Sequence, residues 1–322
     1  MSDHIRVTQL FDCADVGKTI VKAGVRQGKP WRIIQGPWTR GGTKAAYYRF
    51  RLEQATAYPR TQLWHVNMGG RAKWARGTFS RPYALTLHGT DIRESYWQDQ
   101  HHRVIKEDID RAGQVWYTTP DLREKAEEAR SDAEYLPAPV DMDELPAWTP
   151  AVKPKILFPS RWDGSKGGDA LLQTAADVVS AMGNSGDVDI VGLDWGDRAP
   201  EAAALGIRLL PKMAKAVFLR ELATAHIAVG QVTGVLGLSE LQAMGIGVPL
   251  IFADPVDEYL YGQALVGVSR SEVAQAVRNS LSDPEALSRR LGGRAYVSQV
   301  HSPNALIPKL EAGYAKVLDA AA

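Results

Sequence analysis

The chain of 322 residues reads as an α/β protein made of two Rossmann-like domains. Three observations predict this. Apolar runs of strand length alternate with stretches of helical spacing along the whole sequence. A proline-studded segment splits that alternation into two series. The composition, 45% hydrophobic and 23% charged, is that of a globular protein long enough for two cores.

In the first series Val7 to Phe11 and Trp31 to Gln35 read as strands, with helical spacing over Val16 to Val25 between them. Strand-like runs follow at Gln62 to Val66, Tyr83 to Leu87 and Val115 to Thr118, with a polar helix expected around Gln98 to Arg111. Leu136-Pro137-Ala138-Pro139-Val140, then Pro146, Pro150 and Pro154, exclude a continuous helix and read as the interdomain linker. The second series runs through Lys155 to Pro159, Val188 to Gly192, Ile207 to Leu210, Ile227 to Val229, Val248 to Phe252 and Ala264 to Val266. Helical runs at Asp169 to Met182, Ala214 to Ala223 and Ser271 to Leu281 separate or follow these strands. A last helix is expected over about residues 303–319, packing back on the first domain. The domains are placed at residues 1–145 and 146–322.

A single cysteine, Cys13, excludes an internal disulfide and suits a reducing compartment. The start lacks the apolar core of a signal peptide and no run approaches spanning length, so a cytoplasmic protein is expected. The net charge of +1 hides an asymmetry. Residues 1–90 carry 15 Lys+Arg against 4 Asp+Glu, a balance of +11, and the remainder carries −10. Such a split points to a polyanionic partner for the amino-terminal half.

Two motifs carry chemistry in the second series. Arg161-Trp162-Asp163-Gly164-Ser165-Lys166-Gly167-Gly168 follows a buried strand and precedes a helix. It supplies a planar guanidinium, a compact ammonium and free N–H groups at a helix start, a combination suited to a diphosphate. Glu240 opens the helical run that ends at Gly245 and Gly247. There it either faces a ligand at the strand ends or complements its own helix dipole.

With these motifs in order, the chain resembles the family-four retaining glycosyltransferases of the GT-B fold. The resemblance rests on Arg161 with Lys166 and on Glu240 ahead of Ala243-Met244-Gly245-Ile246-Gly247-Val248-Pro249. It extends to Asp15-Val16-Gly17, Trp64-His65-Val66-Asn67-Met68-Gly69-Gly70, Leu87-His88-Gly89-Thr90-Asp91-Ile92-Arg93, and Thr119-Pro120-Asp121-Leu122 with Leu136 to Asp141. It implies two Rossmann-like domains facing each other across a cleft and a metal-independent transfer from a nucleotide-sugar, UDP- or GDP-linked. Arg161 and Lys166 would neutralise the leaving diphosphate, and Glu240 would bind the ribose hydroxyls. Gly17 would admit the donor or acceptor close to the backbone, and His88 would meet the transferred sugar. Lys212 and Met213 are expected to line the base pocket. The family's first donor-site glutamate falls on Val232, and the neighbouring Gln231 is the candidate to replace it. No cofactor is implied. Three Asp-x-Asp triplets, at Asp108, Asp141 and Asp187, fall in a helix, a linker and a strand, where a metal role is not expected.

Between Lys18 and Arg81 stand 14 Lys+Arg and one acid, Glu53, interleaved with aromatic residues. The candidate acceptor residues are Arg40, Lys44, Arg49, Arg71, Lys73, Trp74 and Arg76. Cations on phosphates with aromatic rings for an extruded base favour DNA, with a hydroxymethylated pyrimidine as acceptor. Viral enzymes of this kind offer the precedent, so a bacteriophage DNA-modifying member is the leading expectation. An anionic membrane surface carrying a lipid or polysaccharide acceptor is the alternative, without a transmembrane segment. A small soluble acceptor and a non-catalytic nucleotide-sugar or DNA binder remain open.

Overall fold

The computed structural model describes residues 4–183, 186–255 and 264–322. They divide into two units: residues 4–141 with 300–322, and residues 142–299, less those outside the description.

The first unit holds a parallel sheet of β1 (Val7–Leu10), β2 (Arg32–Ile34), β3 (Leu63–Asn67), β4 (Tyr83–Leu87), β5 (Gln114–Tyr117) and β6 (Glu134–Tyr135). Their spatial order is β2-β1-β3-β4-β5-β6. Parallel strands need crossovers, and α1 (Val16–Arg26), α2 (Lys44–Ala57) and α5 (Asp99–Asp110) supply them; two short turns of helix, α3 (Lys73–Arg76) and α4 (Thr90–Arg93), lie between. Both sheet faces are covered, so the strands read as apolar runs rather than alternating ones. One face buries Leu10, Val66, Leu85 and Val115 with Phe50 and Ile109. The other buries Val7, Leu63, Ala84 and Trp116 beneath Leu306, Leu310, Tyr314 and Val317 of the closing helix Pro303–Asp319.

The second unit repeats the plan with β7 (Lys155–Phe158), β8 (Asp189–Leu193), β9 (Arg208–Leu210), β10 (Ile227–Val229), β11 (Leu250–Ala253) and β12 (Val266–Val268). Their order is β12-β11-β10-β7-β8-β9, again parallel. After α6 (Arg123–Ala129) of the first unit, the second unit's helices include α7 (Asp169–Met182), α8 (Ala199–Ala204), α9 (Lys215–Ala223) and α10 (Leu238–Ile246).

Each expected strand is present, with edges shifted by up to two residues. The sequence places a strand from Val248, but β11 begins at Leu250 because the Val248 N–H is taken by Ala243 O in closing α10. The two-residue β6 is too short and too polar to stand out in the sequence.

Candidate functional site

In the second unit the strand order reverses beside β7, which lies between β10 and β8. Ligands of doubly wound sheets bind at the carboxyl ends of strands flanking such a point. The loops that follow β7 and β10 there carry the residues singled out above.

These two loops are stitched together. Val232 N–H donates to Lys166 O at 3.3 Å. Gly167 has φ +110°, and a Cβ on it would lie 2.2 Å from Val232 Cγ2, so only glycine fits. Val232 thus presents a methyl to the glycine loop, where the family pattern has a carboxylate. Asp163 holds the turn before it by accepting the Ser165 N–H at 3.0 Å.

Glu240 is 1% exposed on the first turn of α10. Its Oε1 accepts from the Ser160 hydroxyl at 2.5 Å and the Gln231 backbone N–H at 3.3 Å. The carboxylate therefore serves the neighbouring strand ends, not its own helix. Its Oε2 is buried with no hydrogen-bond partner, as is Gln231 Oε1. Gln231 Nε2 donates to Val235 O. The groups converge beside Gly237: a Cβ there would lie 2.7 Å from Glu240 Oε2, 3.4 Å from Gln231 Nε2 and 3.6 Å from Lys166 Nζ. A carboxylate oxygen, an amide and an ammonium thus surround one point left open by a missing side chain. A buried carboxylate oxygen without a donor is costly, and hydroxyl groups of a ligand would satisfy it.

Arg161 and Lys212 meet elsewhere in this unit, over one ring. The Arg161 guanidinium lies 5.4 Å and Lys212 Nζ 4.7 Å from the centre of Trp195, an indole 44% exposed. Arg161 is further steadied by the Ser165 hydroxyl at 3.1 Å and by Asp163 at 3.4 Å. Met213 is half-buried beside Lys212 in the segment between β9 and α9.

His88 and Gly17 belong to the first unit, where the order reverses beside β1. His88 directly follows β4, with its N–H accepted by Asp91 Oδ1 at 3.0 Å; Asp91 also takes the N–H groups of Gly69 and Gly89 at 2.9 Å each. His88 Nε2 lies 3.4 Å from Asn67 Oδ1, and Asn67 Nδ2 donates to Gln9 Oε1 at 2.9 Å. Burial lowers the His88 pKa against the opposing pull of Asp91 and Asp12, which leaves the ring neutral at pH 7. A Cβ on Gly17 would lie 2.8 Å from Gln9 Oε1 and 2.9 Å from Ile33 Cδ1. Packing inside the unit by itself accounts for the missing side chain there.

The candidate acceptor cations differ among themselves. Arg71 stacks 4.5 Å over Trp38, and Lys73 lies 5.4 Å over Trp74. Arg40 and Arg49 share Glu53 at 2.9 and 3.1 Å, and Lys44 is exposed. Arg76 is committed internally: it pairs with Glu107 and, at 2.6 Å, with the fully buried Asp108. The Asp-x-Asp residues Asp189, Asp108 and Asp141 are likewise held by Arg208, Arg76 and Arg26.

Ser160 and Trp195 escaped the sequence reading. Ser160 had one available signal, a hydroxyl immediately before Arg161 at a strand end. Trp195 had a weaker one, its place between Asp194 and Gly196 just beyond β8.

No protein-family model matches the chain, and no curated protein matches it. Solved structures do. Sucrose-phosphate synthase from Thermosynechococcus elongatus aligns at a TM-score of 0.71 and 16% identity, covering 98% of this chain and 100% of that one. HepE from Anabaena, in complex with UDP-glucose, aligns at 0.68 and 13%, covering 97% and 100%. A UDP-N-acetylglucosamine 2-epimerase candidate from Listeria monocytogenes aligns at 0.62 and 12%, covering 97% of each chain. With the two six-stranded parallel sheets, this likeness gives the chain the GT-B fold of two Rossmann-like units. At such identities it speaks for the fold alone.

Proposed function

We propose that this protein is a retaining glycosyltransferase that takes a sugar from a nucleotide-sugar bound by its second unit. The observation that carries the reading is the convergence of Glu240 Oε2, Gln231 Nε2 and Lys166 Nζ around Gly237 at the β7–β10 reversal. An acceptor oxygen for ribose hydroxyls beside a cation for phosphate is what a nucleoside diphosphate requires. UDP-glucose bound to HepE, a protein of the same fold, supports the donor class.

In this reading Glu240 Oε2 binds the ribose and Gln231 Oε1 receives a sugar hydroxyl in place of the carboxylate that Val232 lacks. Trp195, with Lys212 and Met213, lines the base. Arg161 and Lys166 oppose the charge that develops on the diphosphate as it leaves, without a metal. The family resemblance implies a sugar contact for His88; for Gly17 the packing against Gln9 and Ile33 already explains the glycine. The anomeric carbon–oxygen bond to the diphosphate breaks, the acceptor oxygen bonds to that carbon on the same face, and its proton passes to the diphosphate. Stacked cations at Arg71 and Lys73, with Trp38 and Trp74, support a polyanionic acceptor, DNA bearing a hydroxymethylated pyrimidine, over an anionic membrane surface.

The test combines UDP- and GDP-sugars with hydroxymethylated duplex DNA and reads the added hexose mass. Lys166→Ala and Arg161→Ala are each expected to slow transfer by about two orders of magnitude or more. Near-normal rates for both would sink the donor assignment. Transfer to lipid-linked acceptors but not to DNA would move the acceptor to the membrane. Donor binding without turnover on any acceptor would leave a binding protein.

A further inference from the structure

A cavity of about 310 Å³ opens beside β2 and α2, walled by Arg32, Gln35, Arg40, Glu53 and Arg60. β2 is the edge strand of its sheet, paired on one side only, with β1. The volume lies at the lower end of the range of ligand pockets, and no step of the donor chemistry uses it.

Its charges do not balance. Three arginines and one acidic residue line it, and Glu53 is already shared by Arg40 and Arg49. Burial works against charge on Glu53, but the hydrogen bonds from these two arginines outweigh it and lower its pKa, so it stays ionised at neutral pH. Arg32 and Arg60 have no ion pair or side-chain hydrogen bond among the described residues. Two arginines without such partners line one small cavity, and each guanidinium fork can offer two N–H groups to a tetrahedral oxyanion. The cavity is roomier than a lone oxyanion needs, leaving space for the ester groups of a phosphodiester. It also adjoins the stacked cations: Arg40 belongs to the same helical turn, Pro37–Arg40, as Trp38, over which Arg71 lies at 4.5 Å. One strand of a polyanion could therefore place a phosphate in the cavity and a neighbouring nucleotide against Trp38.

We propose that the cavity walled by Arg32, Arg40 and Arg60 is a phosphate site that seats a backbone phosphate of a nucleic-acid acceptor. The nucleic-acid half of this statement rests on the acceptor reading above; the phosphate half stands without it.

The test uses the full chain and the double variant Arg32→Ala/Arg60→Ala, with UDP-glucose binding and circular dichroism as controls of folding. Inorganic phosphate is titrated while the Arg Nε–Hε resonances are followed by NMR. Those of Arg32 and Arg60 are expected to move together and saturate. If they stay still, the phosphate site is overturned. Duplex DNA binding is then measured between about 50 and 200 mM salt. Loss of one phosphate contact should lower the slope of log K against log salt by about 1 in magnitude and weaken binding about tenfold. An unchanged slope and affinity in the folded double variant would remove this cavity from DNA binding while leaving the DNA reading intact. A wild-type chain that ignores duplex DNA but shows the phosphate shifts would end the nucleic-acid half and keep the phosphate site.

Discussion

In the first unit many polar groups at and near the strand ends are paired with one another, although Gln9 Nε2, Thr119 Oγ1 and Asp121 Oδ1 are buried without a partner. Gln9, Asn67 and His88 form one chain of contacts, and His65 bridges Tyr314 and Thr86 at 2.7 Å on each side. In the second unit the corresponding strand ends leave acceptors unpaired, at Glu240 Oε2 and Gln231 Oε1, with Lys166 Nζ close by. The two sheets have the same number of described strands, all parallel, and both reverse order beside their first strand. The winding therefore does not decide the chemistry. The unpartnered carboxylate oxygen beside an ammonium sets the second unit's loops apart, and it is on that pair that the proposed donor site rests. The first unit offers cations on its surface and a largely paired polar network beneath.

The largest difference should appear in acid. Burial drives the His65 pKa down to about 3 and that of His301 to about 4, and both belong to the first unit. An unfolded histidine titrates near 6.5. Between these limits the unfolded chain binds protons that the folded chain refuses, so stability falls as pH drops below 6.5. Each histidine contributes a slope of about 1.4 kcal/mol per pH unit, so the pair removes about 5 kcal/mol over two units. The second unit has only the partly exposed His226, lowered by burial, among its described histidines. Urea unfolding followed through signals from each unit should show the first losing stability faster from pH 6.5 to 4.5. Equal losses in both would break the contrast.

A second difference lies within the basic surface itself. Asp108 is fully buried, and its carboxyl is raised by burial despite the Ala72 N–H and Arg76. Arg76→Ala strands that carboxylate and should cost about 3–5 kcal/mol. Arg71→Ala removes only a stacked cation and should cost about 1 kcal/mol or less while weakening duplex DNA binding. If both variants lose the same stability, Arg76 is not the anchor described here.

The sequence could not separate those two arginines. Arg76 and Arg71 stand in the same basic run, and the partner that distinguishes them, Asp108, is 32 residues further on in α5. The sheets were legible because strands buried on both faces leave apolar runs. In the segments after β7 and β10 Arg161, Lys166 and Glu240 could be read, because strand, glycine loop and helix follow each other along the chain. Ser160 and Trp195 take their meaning from contacts 80 residues away with Glu240 and across two loops with Arg161, which periodicity does not record. For the same reason Gly17 could be read only as an open backbone, although Gln9 and Ile33 crowd the position.

A single hydroxyl tests whether the network beneath the first unit is structural. Tyr314 lies on the closing helix, fully buried, with its hydroxyl 2.7 Å from His65 Nδ1. Tyr314→Phe keeps the ring packed against Trp31 and Trp116 but leaves that nitrogen buried without its partner. An unsatisfied buried group costs about 1–3 kcal/mol. At about 2–4 °C per kcal/mol for a unit of this size, the first unit's transition should fall by several degrees. UDP-glucose affinity should hold if, as proposed, the donor is bound by the other unit's loops. A fall in donor affinity without loss of stability would show that this network reaches the donor site, and the division of labour between the units would have to be redrawn.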